Sequence, residues 1–236
     1  MKILKDIKEY EGLSIEEYGN GLAGLRMAII EVGKEGSFCG KIREIGKKMG
    51  IAIHAYYFNP IITTEELMIE LIDLQPHYDA VMIQEPLPKH INLGSLLCVL
   101  KADKDICGRR RYSCYEPMRA VGVMDYLKYC GVDLDGKDVV VLGKNDRGLV
   151  DRLVDEGATV TICHERSRGK AHIYHCDLVI NALGYLDCKG LDVPIIDLCG
   201  GCRNWENGDI VKSIDVLSTL GIIHNLFLCK GVDSNG

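Results

Sequence analysis

The chain has no long apolar run. Nowhere do its 236 residues approach the stretch of about twenty apolar residues that a membrane-spanning helix needs. Its beginning, MKILKDIKEYEGLSIEEYGNG, mixes acids and bases around isolated apolar residues and carries no apolar h-region, so no secretory leader is expected. Basic charge is not in excess: 28 Lys and Arg against 34 Asp and Glu leave a net charge of −6. A general attraction to nucleic acid is thereby excluded. The one basic cluster, Arg109-Arg110-Arg111, is read as a solvated loop or an anion contact. Paired metal-ligand spacing is also missing. Cys199-Gly200-Gly201-Cys202 is the only C-x-x-C, and a zinc site would need two more ligands at a second paired spacing, so no metal is expected. The eleven cysteines are scattered, odd in number and mostly embedded in apolar sequence. That pattern predicts reduced thiols of a cytoplasmic protein, packed as small hydrophobes. No internal repeat and no Gly/Ser linker divides the chain.

What is present reads as α/β. A hydrophobic content of 47% is ordinary for a globular protein, and the length allows one large or two modest domains. Residues 133–167 carry the clearest unit. The apolar run 138–142 leads into Gly143 and has the composition of a strand buried on both faces of a parallel sheet. A polar turn, Lys144-Asn145-Asp146-Arg147-Gly148, precedes Leu149, Val150, Leu153 and Val154 at helical spacing, and residues 158–163 form a second strand. Such a β-turn-α-β unit presents free N–H groups at a helix N-terminus, where phosphate is favoured. The end of its second strand, His164-Glu165-Arg166-Ser167, is where an adenosine ribose is read. The glycines do not complete a G-x-G-x-x-G.

Along the rest of the chain, residues 1–20 read as an amphipathic helix and 25–32 as a strand. Residues 37–49 read as a helix with Ser37 as N-cap and Gly50 as its stop. Strands at 51–57 and 79–83 flank a helix at 64–74 begun by Thr63 or Thr64. The third strand runs into Gln84-Glu85-Pro86-Leu87-Pro88-Lys89-His90, a rigid loop at a strand's carboxyl end, where open α/β sheets bind ligands. A short helix at 93–100, a helix from Pro117 to about Cys130, strands at 177–183 and 194–198, and a last apolar stretch at 222–228 follow. Asn207-Gly208 is the strongest hairpin signal. The boundary is placed near Pro117, giving domains 1–116 and 117–236.

The order of these signals resembles the bifunctional methylenetetrahydrofolate dehydrogenase/methenyltetrahydrofolate cyclohydrolase family over nearly the full length. The carriers are LRMAIIEVG; QEPLPKHI, close to the family's Q-x-P-L-P-x-H; KDICG, close to K-D-V-D-G; VDLDGKDVVVLGK before the family's G-R-S turn; TVTICHERS; IIDLCGG; and WENGDIV. The resemblance implies two α/β domains around a cleft: a folate-holding N-terminal domain and a Rossmann-type, doubly wound C-terminal domain that holds NADP or NAD. It also implies a homodimer. Its chemistry would be oxidation of 5,10-methylenetetrahydrofolate, hydrolysis of the methenyl product, or both. The family uses a Tyr-x-x-x-Lys, the Gln of Q-x-P-L-P and the second Asp of K-D-V-D-G.

By that resemblance the catalytic residues are Lys41, Gln84 and Cys107, with Phe38, Pro86, Leu87, Pro88 and Gly231 against the substrate. Gly143, Lys144, Asn145, Arg147, Gly148, His164, Arg166, Ser167 and Gly200 would hold the cofactor, Arg166 and Ser167 favouring a 2′-phosphate. Several positions depart from the family. Cys107 replaces the second Asp; Phe38 and Ile42 fall on the tyrosine and lysine, with Lys41 one place off; and Lys144-Asn145-Asp146 replaces the arginine-serine turn. Residues 227–232 are matched to the family's glycine-proline cleft loop, with the helix that normally follows it absent. Two other readings stand beside the enzyme: an impaired relative that keeps the scaffold and binds nucleotide or folate, and an NAD(P) oxidoreductase acting on another small substrate.

Overall fold

The structure is a computed structural model and describes residues 4–33, 37–143, 147–164, 166–167, 173, 175–204, 209–213 and 215–233. The chain divides into two compact units. One comprises residues 15–118 and 222–236, the other residues 1–14 and 119–221.

The first unit is built on a three-stranded parallel sheet of β1 (Arg26–Val32), β2 (Ala52–Phe58) and β3 (Ala80–Ile83) in the order β2-β1-β3. Alternation sorts the side chains. Ala28, Ile30, Val32, Val81 and Ile83 join one core with Leu67, Leu71 and Leu74 of α3 (Thr64–Leu74) and Leu96 of α4 (Leu93–Val99). Met27, Ile29 and Glu31 therefore point to the other face. That face carries α2 (Ser37–Lys48), where a Cβ on Gly46 would lie 2.3 Å from the Ile53 side chain of β2. Helix α3 begins where expected. Thr63 is its N-cap, with Glu66 N–H donating to Thr63 Oγ1 at 3.2 Å and Thr63 N–H to Glu66 Oε2 at 2.8 Å, a reciprocal capping box.

The second unit is a five-stranded parallel sheet in the order β10-β8-β6-β4-β5, from β4 (Asp138–Leu142), β5 (Thr159–Cys163), β6 (Leu178–Asn181), β8 (Ile195–Asp197) and β10 (Ile210–Lys212). It includes α5 (Met118–Cys130) and α6 (Arg147–Asp155). A small parallel pair, β7 (Leu186–Asp187) with β9 (Cys202–Arg203), completes the strands among the described residues. The chain runs from β4 to β5 on one side and then crosses to β6 on the other, so the strand order reverses between β4 and β6. This is the doubly wound, Rossmann-type pattern.

Two helices belong to both units. Helix α1 (Ile7–Tyr18) divides between Ser14 and Ile15, and the C-terminal α7 (Val216–Asp233) between Gly221 and Ile222. The crossing between Met118 and Arg119 lies beside the boundary expected at Pro117, but neither unit is one continuous segment.

Two expectations are corrected. The C-terminal helix is present: α7 runs through the apolar stretch, and residues 227–232 are helical rather than a cleft loop. Residues 216–223 are buried all round, so they show no single apolar stripe to read as a helix. The strands flanking Asn207-Gly208 do not pair with each other. Strand β9 pairs with β7, and β10 extends the main sheet beside β8, where a parallel neighbour gives it more burial than a two-stranded hairpin would. Residues 205–208 themselves lie outside the described residues.

Candidate active site

In the three-stranded unit the strand order reverses between β1 and β3, since the chain goes from β1 to β2 on one side and returns to β3 on the other. Gln84, the first residue beyond β3, sits at that switch point. Its N–H donates to Ile30 O at 2.9 Å, carrying the β1–β3 ladder one step further, and places Gln84 beside Glu31. Cys39 Sγ, on α2, donates to Gln84 Oε1 at 3.1 Å. Gln84 Nε2 donates to the Glu85 carbonyl, so both ends of the amide are engaged.

The loop after Gln84 holds the cis Glu85–Pro86 bond and the half-buried Leu87 and Pro88. Arg109 pins it from the neighbouring segment. Arg109 Nη1 lies 2.6 Å from Glu85 Oε2 and donates to Ile83 O at 3.4 Å. Of the basic cluster, Arg109 thus serves this loop, whereas Arg111 lies over the Tyr112 ring at 5.5 Å. Buried Asp105 organises the next turn, accepting from Arg110 N–H at 2.7 Å through Oδ2 and from Gly108 N–H at 2.9 Å through its carbonyl.

Cys107 is enclosed in that turn, and burial pushes its thiol up to about 12, against a weaker opposing pull from Arg109. It is neutral at physiological pH. The folded thiol keeps its proton where the unfolded one, near 9.0, has lost it. Stability therefore falls as pH rises through that window. Thermal melts between pH 8 and 10 are expected to drop more steeply for the wild type than for Cys107→Ala; parallel slopes would show that the group carries no such linkage.

On α2, Phe38 is half-buried and Ile42 is 3% exposed. Ile42 lies about 60° round the helix from Cys39, on the sheet-facing side, whereas Lys41 is rotated about 200° from Cys39. Lys41 is half-buried on the helix flank, so the sheet-facing position matched to the family lysine is filled by Ile42. Gly231 lies in the last turn of α7 and is exposed, not in a loop.

In the five-stranded unit, Gly143 follows β4 with φ of +120°, and a Cβ there would lie 3.2 Å from Ala182 beyond β6. That close approach falls on the second switch point. Gly148 lies in the first turn of α6. Beyond β5, His164 N–H donates to Ser167 Oγ at 3.1 Å and Arg166 N–H to His164 Nδ1 at 3.0 Å, closing a tight turn with the Arg166 side chain exposed. Lys144, Asn145 and the Arg147 side chain lie outside the described residues.

Two residues that sequence reasoning passed over build the remaining edge. Fully buried Asp197 accepts from Asn181 Nδ2 at 3.0 Å and from the N–H groups of Gly201 at 3.1 Å and Cys202 at 2.9 Å. This shapes the Gly200-Gly201 turn, where Gly200 has φ of +68° and a Cβ on Gly201 would strike Leu183 O at 2.7 Å. These glycine approaches and the helix N-terminus after Gly143 fit a dinucleotide laid along the carboxyl ends of the strands. Among the described residues no group of three or more His, Cys, Asp or Glu side chains converges to hold a metal. No helix among them is long and apolar enough to cross a membrane.

Two parallel-sheet units, one doubly wound and each with polar groups at its strand switch point, define a two-unit α/β protein with a Rossmann-type sheet. The model of the tetrahydrofolate dehydrogenase/cyclohydrolase NAD(P)-binding domain matches residues 117–189. The bifunctional protein FolD of Nautilia profundicola is 31% identical over 193 residues, covering 73% of this chain and 67% of its own. That of Helicobacter hepaticus is 27% identical over 212 residues, covering 80% and 73%. Among solved structures, the bifunctional FolD methylenetetrahydrofolate dehydrogenase/cyclohydrolase from Campylobacter jejuni gives a TM-score of 0.84 at 21% identity, over 97% of this chain and 98% of that one. The Trypanosoma brucei enzyme, complexed with NADP cofactor and inhibitor, gives 0.86 at 19%, over 99% and 98%. The chain belongs to the tetrahydrofolate dehydrogenase/cyclohydrolase (FolD) family.

Proposed function

We propose that the chain is a nicotinamide-dependent enzyme of one-carbon folate metabolism that oxidises 5,10-methylenetetrahydrofolate to the methenyl form and hydrolyses that product more slowly. The observation that carries this reading is Gln84 at the strand switch point, held by Cys39 and followed by Pro86, Leu87 and Pro88. Open α/β sheets bind ligands there.

The two steps ask different things of these residues. The nicotinamide, when bound, accepts a hydride; no proton moves in that step, so the protein's part is to position the folate and exclude water. Phe38 offers the pterin a face, while Gln84 and the proline loop fix its edge. Attack of water on the methenyl bridge needs a proton acceptor. Cys107 is a neutral thiol and Ile42 offers no base, which supports oxidation as the faster step. Arg166 and Ser167 beyond β5, with Gly143, Gly148 and Gly200, are the groups we assign to the dinucleotide, and the exposed Arg166 favours the 2′-phosphate of NADP.

Purified protein given methylenetetrahydrofolate is expected to reduce NADP in preference to NAD and to accumulate the methenyl form, followed by absorbance. No reduction of either cofactor would end this reading.

The reading extends to a homodimer in the cytoplasm. Strand β2 is an edge of its sheet among the described strands, and Tyr56, Tyr57, Ile69 and Ile72 are exposed in the same unit. An open edge with apolar neighbours favours a second copy. Light scattering is expected to give two copies for the wild type and one for Ile69→Lys combined with Ile72→Lys; a monomeric wild type would refute the dimer. All eleven cysteines are free thiols, which fits a reducing compartment.

A further inference from the structure

Glu31 is the only charged residue within the buried span of β1, and it is 0% exposed. Its position follows from the register. On one side, Glu31 pairs with Tyr57 of β2; on the other, the ladder that joins Ile30 to Ile83 continues to Gln84. All three residues share the face opposite the core of α3 and α4, and strand neighbours lie about 4.8 Å apart. Helix α2 lies on this face. Its Cys39 bonds Gln84, and one turn later Arg43 Nη1 donates to the Tyr57 hydroxyl at 2.7 Å. Glu31 therefore lies between Gln84 and Tyr57, beneath the stretch of α2 that carries Lys41 and Arg43. It stands at the switch point itself.

A carboxylate is a costly group to enclose there. An apolar residue would complete the run of Ala28, Ile29 and Ile30, so packing alone gives no reason for it. Around it, Glu85 pairs with Arg109, Asp105 accepts from the Arg110 backbone, and Cys107 is a neutral thiol.

We infer that Glu31 supplies the negative charge of this site and stabilises the cation that oxidation creates. The inference rests on the function proposed above. When the bridging methylene loses a hydride with its electron pair to the oxidised nicotinamide, the folate is left with a methenyl bridge bearing one positive charge. The cofactor is reduced by the same two electrons. A fixed carboxylate in a water-poor setting favours that product, and the transition state leading to it, over the neutral substrate. Glu31 is thus a charge-positioning residue that works through the Gln84 edge of the site.

The test compares wild type, Glu31→Gln and Glu31→Asp by calorimetry with methenyltetrahydrofolate, a cation at its bridge, and with tetrahydrofolate, which has no bridge. The ratio of the two affinities is the readout, and it requires no turnover. Glu31→Gln is expected to lower the ratio about tenfold or more, with tetrahydrofolate affinity and NADP affinity unchanged, and to lower kcat for oxidation by a similar factor. Glu31→Asp keeps the charge but draws it back by one methylene, and should lower both by a smaller, severalfold factor. An unchanged ratio in Glu31→Gln overturns the assignment. Should Glu31→Gln fail to fold, Glu31→Asp carries the test, because drawing the charge back by one methylene should lower the ratio severalfold; a ratio equal to wild type overturns it. Wild-type protein that binds neither folate defeats the proposed function and the role of Glu31 with it. Wild-type protein that binds the cation preferentially, with the preference untouched by Glu31→Gln, defeats the role of Glu31 alone.

Discussion

Gly122→Ala is expected to cost the five-stranded unit a large part of its stability. Gly122 sits on α5, where a Cβ would lie 1.9 Å from Leu217 O and 2.6 Å from Leu217 C of α7. The obstacle is backbone, not the end of a flexible side chain, so the helices must separate and the packing on both sides must open. The cost should exceed about 4 kcal/mol, a large part of a domain's whole stability. Urea denaturation followed by circular dichroism measures it. Gly12→Ala is the control: nothing lies within 4 Å of a Cβ there, within α1, and the change should stabilise by about 0.5–1 kcal/mol. Equal unfolding midpoints for Gly122→Ala and wild type would mean that α5 and α7 do not pack this closely.

Asp197→Ala should have the next largest effect, on both stability and cofactor binding. It strands the Asn181 amide and the Gly201 and Cys202 N–H groups in a place water does not reach. Each unpaired buried donor costs about 1–3 kcal/mol, so a loss of about 4 kcal/mol is expected once the turn relaxes. The Gly200-Gly201 turn loses its shape at the same time, and NADP affinity by calorimetry should fall by at least about tenfold, equivalent to 1.4 kcal/mol. Asp197→Asn keeps the outline but sets an amide N–H₂ against an N–H donor, and should cost about 1–3 kcal/mol. If Asp197→Ala weakened neither stability nor NADP binding, the network would be incidental to the turn.

The parallel strands were legible in the sequence because burial on both faces leaves nearly unbroken runs such as residues 138–142, and turn residues mark their ends. The α3 start was legible because a capping box is local chemistry, complete within four residues. What could not be read depends on partners distant in sequence. Asn207-Gly208 signals a hairpin, but the pairing of β9 and β10 is decided by β7 and β8, which compete for them. Helix α7 escaped because residues 227–232 were matched to a family loop, while its first two turns, buried on every side, lack an amphipathic period. In the site, Gln84 was legible from its loop, and Cys39 was not, because its hydrogen bond joins α2 to the end of β3. Glu31 had a signal that went unused: an acid in a buried strand, on the same alternation phase as Gln84.

The chain passes from one unit to the other between Ser14 and Ile15, between Met118 and Arg119, and between Gly221 and Ile222. Each unit is therefore assembled from two separated stretches of the gene. A single recombination breakpoint anywhere between Ile15 and Gly221 divides both units, and even one between Met118 and Arg119 parts residues 1–14 and 222–236 from the stretches they cluster with. Exchange of the Rossmann-type unit by one crossover therefore leaves behind the part of α1 that belongs to it.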